Sequence, residues 1–386
     1  MTYRQDFTVP DDLLEGIMAQ GLDAIPEMIR LLINLAMKIE RQAYLGVGPY
    51  DRSPERRDQA NGYKPKSVST RMGEIEFDIP QVRHSGFYPQ ALEKGLRSER
   101  ALKLALAEMY VQGVSTRKVA AVTEKLCGLE VSSTQVSRAV AELDEQLKAW
   151  RNRPLGRYRY LYLDARYEKV RVEGQVQDVA VLIAIGVNEE GKREVLGVSV
   201  AFSEQEVHWR SFLQGLIQRG LHGVELIISD AHTGLQKARR AVFSSAPWQR
   251  CQFHLQQNAQ AYVPRKEMQA KAAADIRAIF NAPNRPEAER LLKMTVKKYE
   301  TSASKLAAWM EDNLPQGLTV FNFPAQHRRR LRTTNGVERL NKEIRRRTRV
   351  VGIFPNEDAC LRLVTAILVE TSEDWVTGQV YLSFDT

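Results

Sequence analysis

Two aspartates carry the first chemical signal in this sequence. Asp164 closes the apolar run Tyr160-Leu-Tyr-Leu-Asp, and Asp230 closes a second, Val224-Glu-Leu-Ile-Ile-Ser-Asp. A carboxylate at the end of a buried strand loses hydration unless a charged group pairs with it. Taken singly, each aspartate reads as a strand-end turn former. Two such acids on neighbouring strands repel each other unless a cation lies between them. Hard divalent ions suit that arrangement, because they take carboxylate, water and phosphate oxygens: Mg²⁺, with Mn²⁺ as its substitute. Two such ions about 3.5–4 Å apart can activate a nucleophile and stabilise the leaving oxygen of a phosphodiester displacement.

A third carboxylate is expected from the helix that opens at Asn335. Its buried stripe is Val337, Leu340 and Ile344, and Glu338, Asn341 and Arg345 follow one side of that stripe. Glu343 flanks the other side, where it can pair with Arg347 or Arg339. Helical position alone does not choose between Glu338 and Glu343.

The charge distribution points to a polyanion. The chain has 386 residues and a net charge of +9. Between Arg328 and Arg349 stand ten Arg or Lys against two Glu, so this segment alone carries +8. Such a stripe attracts nucleic acid, since each neutralised phosphate releases condensed counterions. No apolar run approaches the ~18 residues of a membrane span and no signal segment opens the chain, so the expected location is the cytoplasm, with no membrane partner. Three widely spaced cysteines, Cys127, Cys251 and Cys360, do not suggest a disulfide framework.

The elements that must position these residues are read from periodicity. Residues 10–45 predict two helices divided near Gly21; the second is apolar enough to need a partner, either its own chain or the same helix of a second copy. Residues 46–66 predict a basic linker, and 67–79 a β-hairpin around Arg71-Met72-Gly73. Residues 98–150 are helical. There a helix from Ser115, a turn at Gly128 and a second helix capped by Ser132 or Ser133 give a helix-turn-helix layout. That places Ser133, Gln135, Ser137 and Arg138 where base edges are met.

Three antiparallel-type strands follow (near 160–165, 179–187 and 194–202), then a helix, a strand to Asp230 and a helix. This is the ribonuclease H-like order. Residues 252–314 read as wholly helical, and strand character returns briefly in Leu318-Thr-Val-Phe-Asn-Phe. The pair Cys251 and His254 invites zinc, but no second Cys or His pair completes the four ligands of a structural site, so none is expected. Cys251 instead suits a buried strand end. His254 on the following helical turn points toward the aspartates and a DNA phosphate, and His232 is a further phosphate contact or a loop histidine.

Ordered blocks along the chain carry a resemblance. They are Asn61-Gly-Tyr, Thr70-Arg-Met-Gly-Glu-Ile-Glu-Phe-Asp-Ile-Pro, Gly113-Val-Ser-Thr-Arg-Lys-Val and Val131-Ser-Ser-Thr-Gln-Val-Ser-Arg. Tyr162-Leu-Asp-Ala-Arg-Tyr-Glu-Lys-Val-Arg, Ser229-Asp-Ala-His-Thr-Gly-Leu, Cys251-Gln-Phe-His, Thr334-Asn-Gly-Val-Glu-Arg-Leu-Asn-Lys-Glu-Ile-Arg-Arg-Arg and Gly352-Ile-Phe-Pro-Asn complete the set. Together they resemble the Mutator-type family of bacterial insertion-sequence transposases. The resemblance implies a catalytic and metal-binding triad of Asp164, Asp230 and Glu338, so it selects Glu338 where geometry did not. It also implies Mg²⁺ dependence, binding to terminal inverted repeats, insertion into target DNA, and a homodimer or higher homo-oligomer.

The expected architecture is an α/β ribonuclease H-like core, a mixed sheet flanked by helices, interrupted by an all-α insertion and preceded by mainly helical domains for dimerisation and DNA binding. Its boundaries are 1–95 (N-terminal helices, linker and hairpin), 96–152 (helix-turn-helix), 153–250 (first part of the core), 251–325 (insertion) and 326–386 (second part). Cys251, His254, His232, Asn341 and Arg345 are expected near the active site and its phosphate. Arg117, Gln135, Ser137, Arg138, Arg328, Arg329, Arg330, Arg346 and Arg347 are expected to hold DNA. Trp309 in the insertion is a core residue or a base-stacking one. A nuclease or resolvase that cleaves without joining would share the same metal site, and a non-catalytic helix-turn-helix regulator would lack one.

Overall fold

The computed structural model describes residues 15, 18–48, 53–84 and 86–384. Most of the first expected N-terminal helix, and part of the expected linker, lie outside them. The chain divides into two compact units, 1–142 and 143–386.

In the first unit, helix α1 (Ile25–Leu45) starts with a proline in its first turn and ends at Gly46, whose φ of 74° is left-handed and closes the helix. Its partner is in its own chain. Ile29, Ile33 and Met37 pack on Val68, Ile75, Phe77 and Ile79 of a hairpin, β1 (Ala60–Thr70) and β2 (Gly73–Val82). The hairpin runs well into the segment expected to be linker, with Ala60 opposite Val82 and Tyr63 opposite Pro80. Residues 60–66 are exposed or nearly so on both faces, so no apolar alternation marks them as strand. Leu32, Leu35 and Ile39, on the other side of α1, remain exposed.

Helices α2 (Arg100–Val111), α3 (Thr116–Cys127) and α4 (Ser133–Ala141) share a core of Leu102, Leu106, Val119, Leu129, Val136 and Ala139. Ser115 caps α3. Ser132, rather than Ser133, caps α4 through a reciprocal capping box with Gln135.

The second unit opens with α5 (Asp144–Arg151) and is built on a five-stranded sheet. Its strands are β3 (Tyr158–Val172), β4 (Gln175–Asn188), β5 (Arg193–Ala201), β6 (Leu226–Ser229) and β7 (Trp248–Arg250). Their spatial order is β5-β4-β3-β6-β7. The first three pair antiparallel, while β6 and β7 run parallel to β3. Helices α6 (Glu206–Gln218) and α7 (Thr233–Val242) cover one face, where Trp209, Leu213, Leu216 and Leu235 meet Leu161, Leu163, Leu182 and Ile227.

Residues two apart along a strand share a face, so Tyr160, Tyr162, Asp164, Arg166 and Glu168 point away from Leu161 and Leu163. Helices α12 (Ala325–Leu331) and α13 (Asn335–Thr348) meet that second face, and α14 (Glu357–Thr377) packs against β5 and β3. Between β7 and α12 lie α8 (Gln252–Ala259), α9 (Lys266–Phe280), α10 (Arg285–Tyr299) and α11 (Ser304–Asn313). Among the described residues no helix is long and apolar enough to cross a membrane.

Two local expectations need correction. Asp164 does not end its strand: β3 continues for eight residues to Val172. Its second half looks polar in sequence because every other side chain serves α13 rather than an apolar core. The segment 318–323 is not a strand: it holds a 3₁₀ turn, Thr319–Asn322, directly after another at Leu314–Gly317. The fully buried Gln249 accounts for them. Its amide donates to the Gly317 carbonyl, and its oxygen accepts from Val320 N–H at 2.7 Å, which removes backbone groups a ladder would need. Strand β7, which carries Gln249, is three residues long and below the length that periodicity can register.

Gly234, in the first turn of α7, lets the helix start directly against the backbone leading into α6. A Cβ there would lie 2.1 Å from the Glu204 carbonyl oxygen. Gly234→Ala should therefore destabilise this unit by roughly 1–3 kcal/mol, the usual cost of overpacking, measured by urea unfolding.

Candidate active site

Each candidate carboxylate comes from a different element, and all three line one cleft of about 1030 Å³ in the second unit. Asp164 projects from mid-β3. Asp230 follows β6 directly, where its Oδ1 accepts from the His232 backbone N–H at 3.2 Å and starts the turn into α7. Glu338 lies in the first turn of α13. His254, Asn341, Lys342, Arg345 and Arg349 line the same cleft.

Helix α13 is tied to β3 by three polar rungs. Asn341 Nδ2 donates to Asp164 Oδ2 at 2.8 Å. Arg166 donates to the Asn341 carbonyl and pairs with Glu168 at 2.5 Å. Thr348 Oγ1 donates to Glu168 Oε1 at 3.0 Å. Val337, Leu340 and Ile344 seat the helix, all at most 2% exposed.

Glu343 is turned elsewhere. It pairs at 2.7 Å with both Arg346 and Arg347, and the Arg346 hydrogen bond leads in holding its pKa down at about 2. Glu343 does not line the cleft, whereas Glu338 does, with its Oε1 buried and without a hydrogen-bond partner.

The electrostatics of the cleft are those of a site short of positive charge at its floor. Burial, and then the neighbouring Asp230, push Asp164 up to about 7. His254, by contrast, is raised to about 9, chiefly by its hydrogen bond with Cys251 against the opposing effect of burial, then by Cys251, Asp164 and Asp230 as negative charges. Burial opposes ionisation of the Cys251 thiol, but hydrogen bonds from His254 and Thr334 outweigh it and lower its pKa. Cys251 is fully buried at the end of β7 and caps α8.

The three carboxylates share the cleft, yet among the described residues the three acid, histidine or cysteine ligands that stand closest are Cys251, His254 and Glu338, whose ligand atoms lie within 4.8 Å of one another. An unpartnered carboxylate oxygen on Glu338 and a destabilised carboxylate on Asp164 are what a divalent cation would satisfy, so the donor set fits a hard metal ion.

The remaining expected site residues fall into two groups. Arg345, lining the cleft, and Arg329, Arg330 and Arg346 are exposed, as are Arg117, Ser137 and Arg138 in the first unit. His232 is partly exposed and lies 3.8 Å from Glu204, outside the cleft lining. Trp309 stacks on Tyr262, with centroids 5.5 Å apart.

Three residues differ from expectation. Arg347 is 6% exposed and pairs with Glu343 and Glu370, so it braces α13 against α14 instead of facing DNA. Arg328 is half-buried and donates to the carbonyls of Phe323, Pro283 and Phe321. Gln135 is exposed, but its side-chain oxygen accepts from Ser132 N–H in the capping box. Residues missed from sequence are Lys342 and Arg349, which share the cleft side of α13, and Arg166 and Glu168, whose alternation with Asp164 on β3 was the available signal.

The chain belongs to the Mutator family of transposases: the family described as "Transposase, Mutator family" matches residues 8–378. It is 61% identical over 372 residues to the transposase for insertion sequence element IS406 of Burkholderia multivorans, covering 96% of each chain. Identity to the transposase for insertion sequence element ISRM5 of Rhizobium meliloti is 43%, covering 96% of this chain and 94% of that one. Identity to the transposase for insertion sequence element IS256 in transposon Tn4001 of Staphylococcus aureus is 35%, covering 98% of both.

Two stability measurements follow from this geometry. The raised pKa of Asp164 means that folding favours its protonated form. Its burial therefore costs nothing below the ordinary carboxylate range and destabilises the metal-free protein as pH rises through about 7. Asp164→Asn should remove that slope and raise stability above about pH 7 by at most roughly 4 kcal/mol, read by urea unfolding with chelator present. Arg347→Ala should lower stability by roughly 1–3 kcal/mol, since it removes a nearly buried cation that bridges Glu370 of α14 and Glu343, of which Glu343 keeps Arg346. Arg346→Ala should leave the melting temperature near that of the parent protein.

Proposed function

We propose that this chain cuts and joins DNA through a ribonuclease H-like core in which Asp164, Asp230 and Glu338 hold Mg²⁺, with Mn²⁺ as substitute. The observation that carries the proposal is the convergence of three carboxylates from β3, the end of β6 and α13 on one basic-rimmed cleft. Supporting the core assignment, three antiparallel strands are followed by two strands parallel to the first, in the order β5-β4-β3-β6-β7. Membership of a transposase family supports joining as well as cutting.

When bound, the metal would supply charge neutralisation and an activated oxygen nucleophile for phosphodiester displacement. The chain's own groups do the positioning. Asn341 fixes the rotamer of Asp164 through its amide. Arg345, Lys342 and Arg349 hold phosphate oxygens over the carboxylates, and His254, carrying a proton up to about pH 9, adds a charge-assisted donor from α8 in the same cleft. Exposed Arg117, Ser137 and Arg138 on α3 and α4 contact the terminal inverted repeats, and the basic stripe on α12 and α13 contacts target DNA. The Trp309–Tyr262 stack offers an aromatic surface to an unpaired base. The exposed Leu32, Leu35 and Ile39 on α1 suit a homodimer contact.

The test is cleavage and joining of a duplex that carries an element end, with Mg²⁺ or Mn²⁺. Asp230→Asn and Glu338→Gln should each lower both steps at least a hundredfold, about 2.7 kcal/mol of barrier, while Glu343→Gln should not. Full activity in Glu338→Gln contradicts the triad. Cleavage without any joined product identifies a nuclease instead.

A further inference from the structure

We infer that Cys251, His254 and Glu338 form a second metal site, selective for a thiophilic ion such as Zn²⁺, which shares Glu338 with the hard-metal carboxylates. The three side chains offer sulfur, nitrogen and oxygen atoms within 4.8 Å of one another. Their placement is built into the fold. Cys251 N–H donates to the Ser229 carbonyl at 2.8 Å, which fixes the thiol at the end of β7. His254 follows one turn later in α8, on the same side of the helix. Thr334 then joins Cys251 to the helix that bears Glu338. Its N–H and Oγ1 both donate to Cys251 Sγ at 3.4 Å, and its carbonyl accepts from Glu338 N–H at 3.0 Å.

Two atoms in this cluster are buried and without hydrogen-bond partners, Glu338 Oε1 and His254 Nδ1. Three protein ligands with one open position is the coordination of zinc at a reactive site, and here two of the three, His254 and Glu338, line the cleft. A thiolate and an imidazole disfavour Mg²⁺, which takes oxygen donors, and strongly favour Zn²⁺ or Cd²⁺. Sequence spacing argued against zinc only because it sought a second Cys or His pair; the third ligand is a glutamate 84 residues beyond His254. Binding displaces the Cys251 thiol proton and takes neutral His254, so protons are released as the ion enters. The consequence for turnover rests on the function proposed above: an ion held here withdraws Glu338 from Asp164 and Asp230, and zinc opposes Mg²⁺.

The site is tested on the full chain without DNA or Mg²⁺, so a failure of the cleavage proposal leaves the result readable. Zn²⁺ is titrated against a chromophoric chelator, and Cd²⁺ is followed by its sulfur-to-metal charge-transfer absorption. One ion per chain and a cadmium–thiolate band are expected. Cys251→Ser should abolish the band, and Glu338→Gln should keep it while weakening Zn²⁺ at least about tenfold. Cys127→Ser should change neither. If Cys251→Ser does not fold, judged by circular dichroism, the band in the parent protein and the Glu338→Gln affinity decide. Absence of the band, or Zn²⁺ affinity untouched by Glu338→Gln, overturns the site.

Discussion

The second unit is organised around the repulsion between two carboxylates, one of them nearly dehydrated. Asp164 sits mid-strand in the central strand of the sheet and 9% exposed, with Asp230 close enough to raise its pKa further. A chain that only needed stability would place an apolar residue there, as it does at Leu161 and Leu163 on the opposite face. Keeping an acid requires that its surroundings be rigid, since any slack would let the side chain swing toward water. The Asn341 amide, the Arg166–Glu168 pair and the Thr348 hydroxyl supply that rigidity. They also fix the height and rotation of α13 relative to β3.

Helix α13 consequently presents three chemically distinct sides. One is apolar and seats the helix. One faces the cleft with Glu338, Asn341 and Arg345. The third carries Glu343 and Arg347, joined to Glu370 of α14. The +8 of this region is therefore not a uniform stripe. Arg347 pairs with carboxylates and Arg328 donates to backbone carbonyls, so the groups free to meet an anionic partner are Arg345, Lys342, Arg349 and the exposed arginines of α12. The same economy holds at Cys251, whose thiol links the end of the sheet to α13 through Thr334.

Much of this was legible from the sequence, and the rest was hidden for physical reasons. Apolar runs ending in acids located Asp164 and Asp230, and β-branched segments located the strands around them. The continuation of β3 was hidden because Arg166 and Glu168 look like loop residues until a helix is known to pair with them. Periodicity could not separate Glu338 from Glu343, since both flank the same apolar stripe; resemblance chose Glu338, and Glu343 is engaged instead by Arg346 and Arg347 outside the cleft. Charge counting did not reveal which arginines were engaged inside the protein, because that depends on contacts such as Arg347 with Glu370, 23 residues away. The 3₁₀ turns near Val320 were equally hidden, since they depend on a buried glutamine from a distant strand.

The central claim is that the three carboxylates hold one hard-metal centre. Its most direct test is Mn²⁺ binding to the full chain, followed by electron paramagnetic resonance as the free-ion signal is lost. If the carboxylates form that centre, the parent protein takes up Mn²⁺, and Asp164→Asn, Asp230→Asn and Glu338→Gln each weaken uptake, whereas Glu343→Gln does not. Uptake that is equal in all four variants, or lost only in Glu343→Gln, would contradict it.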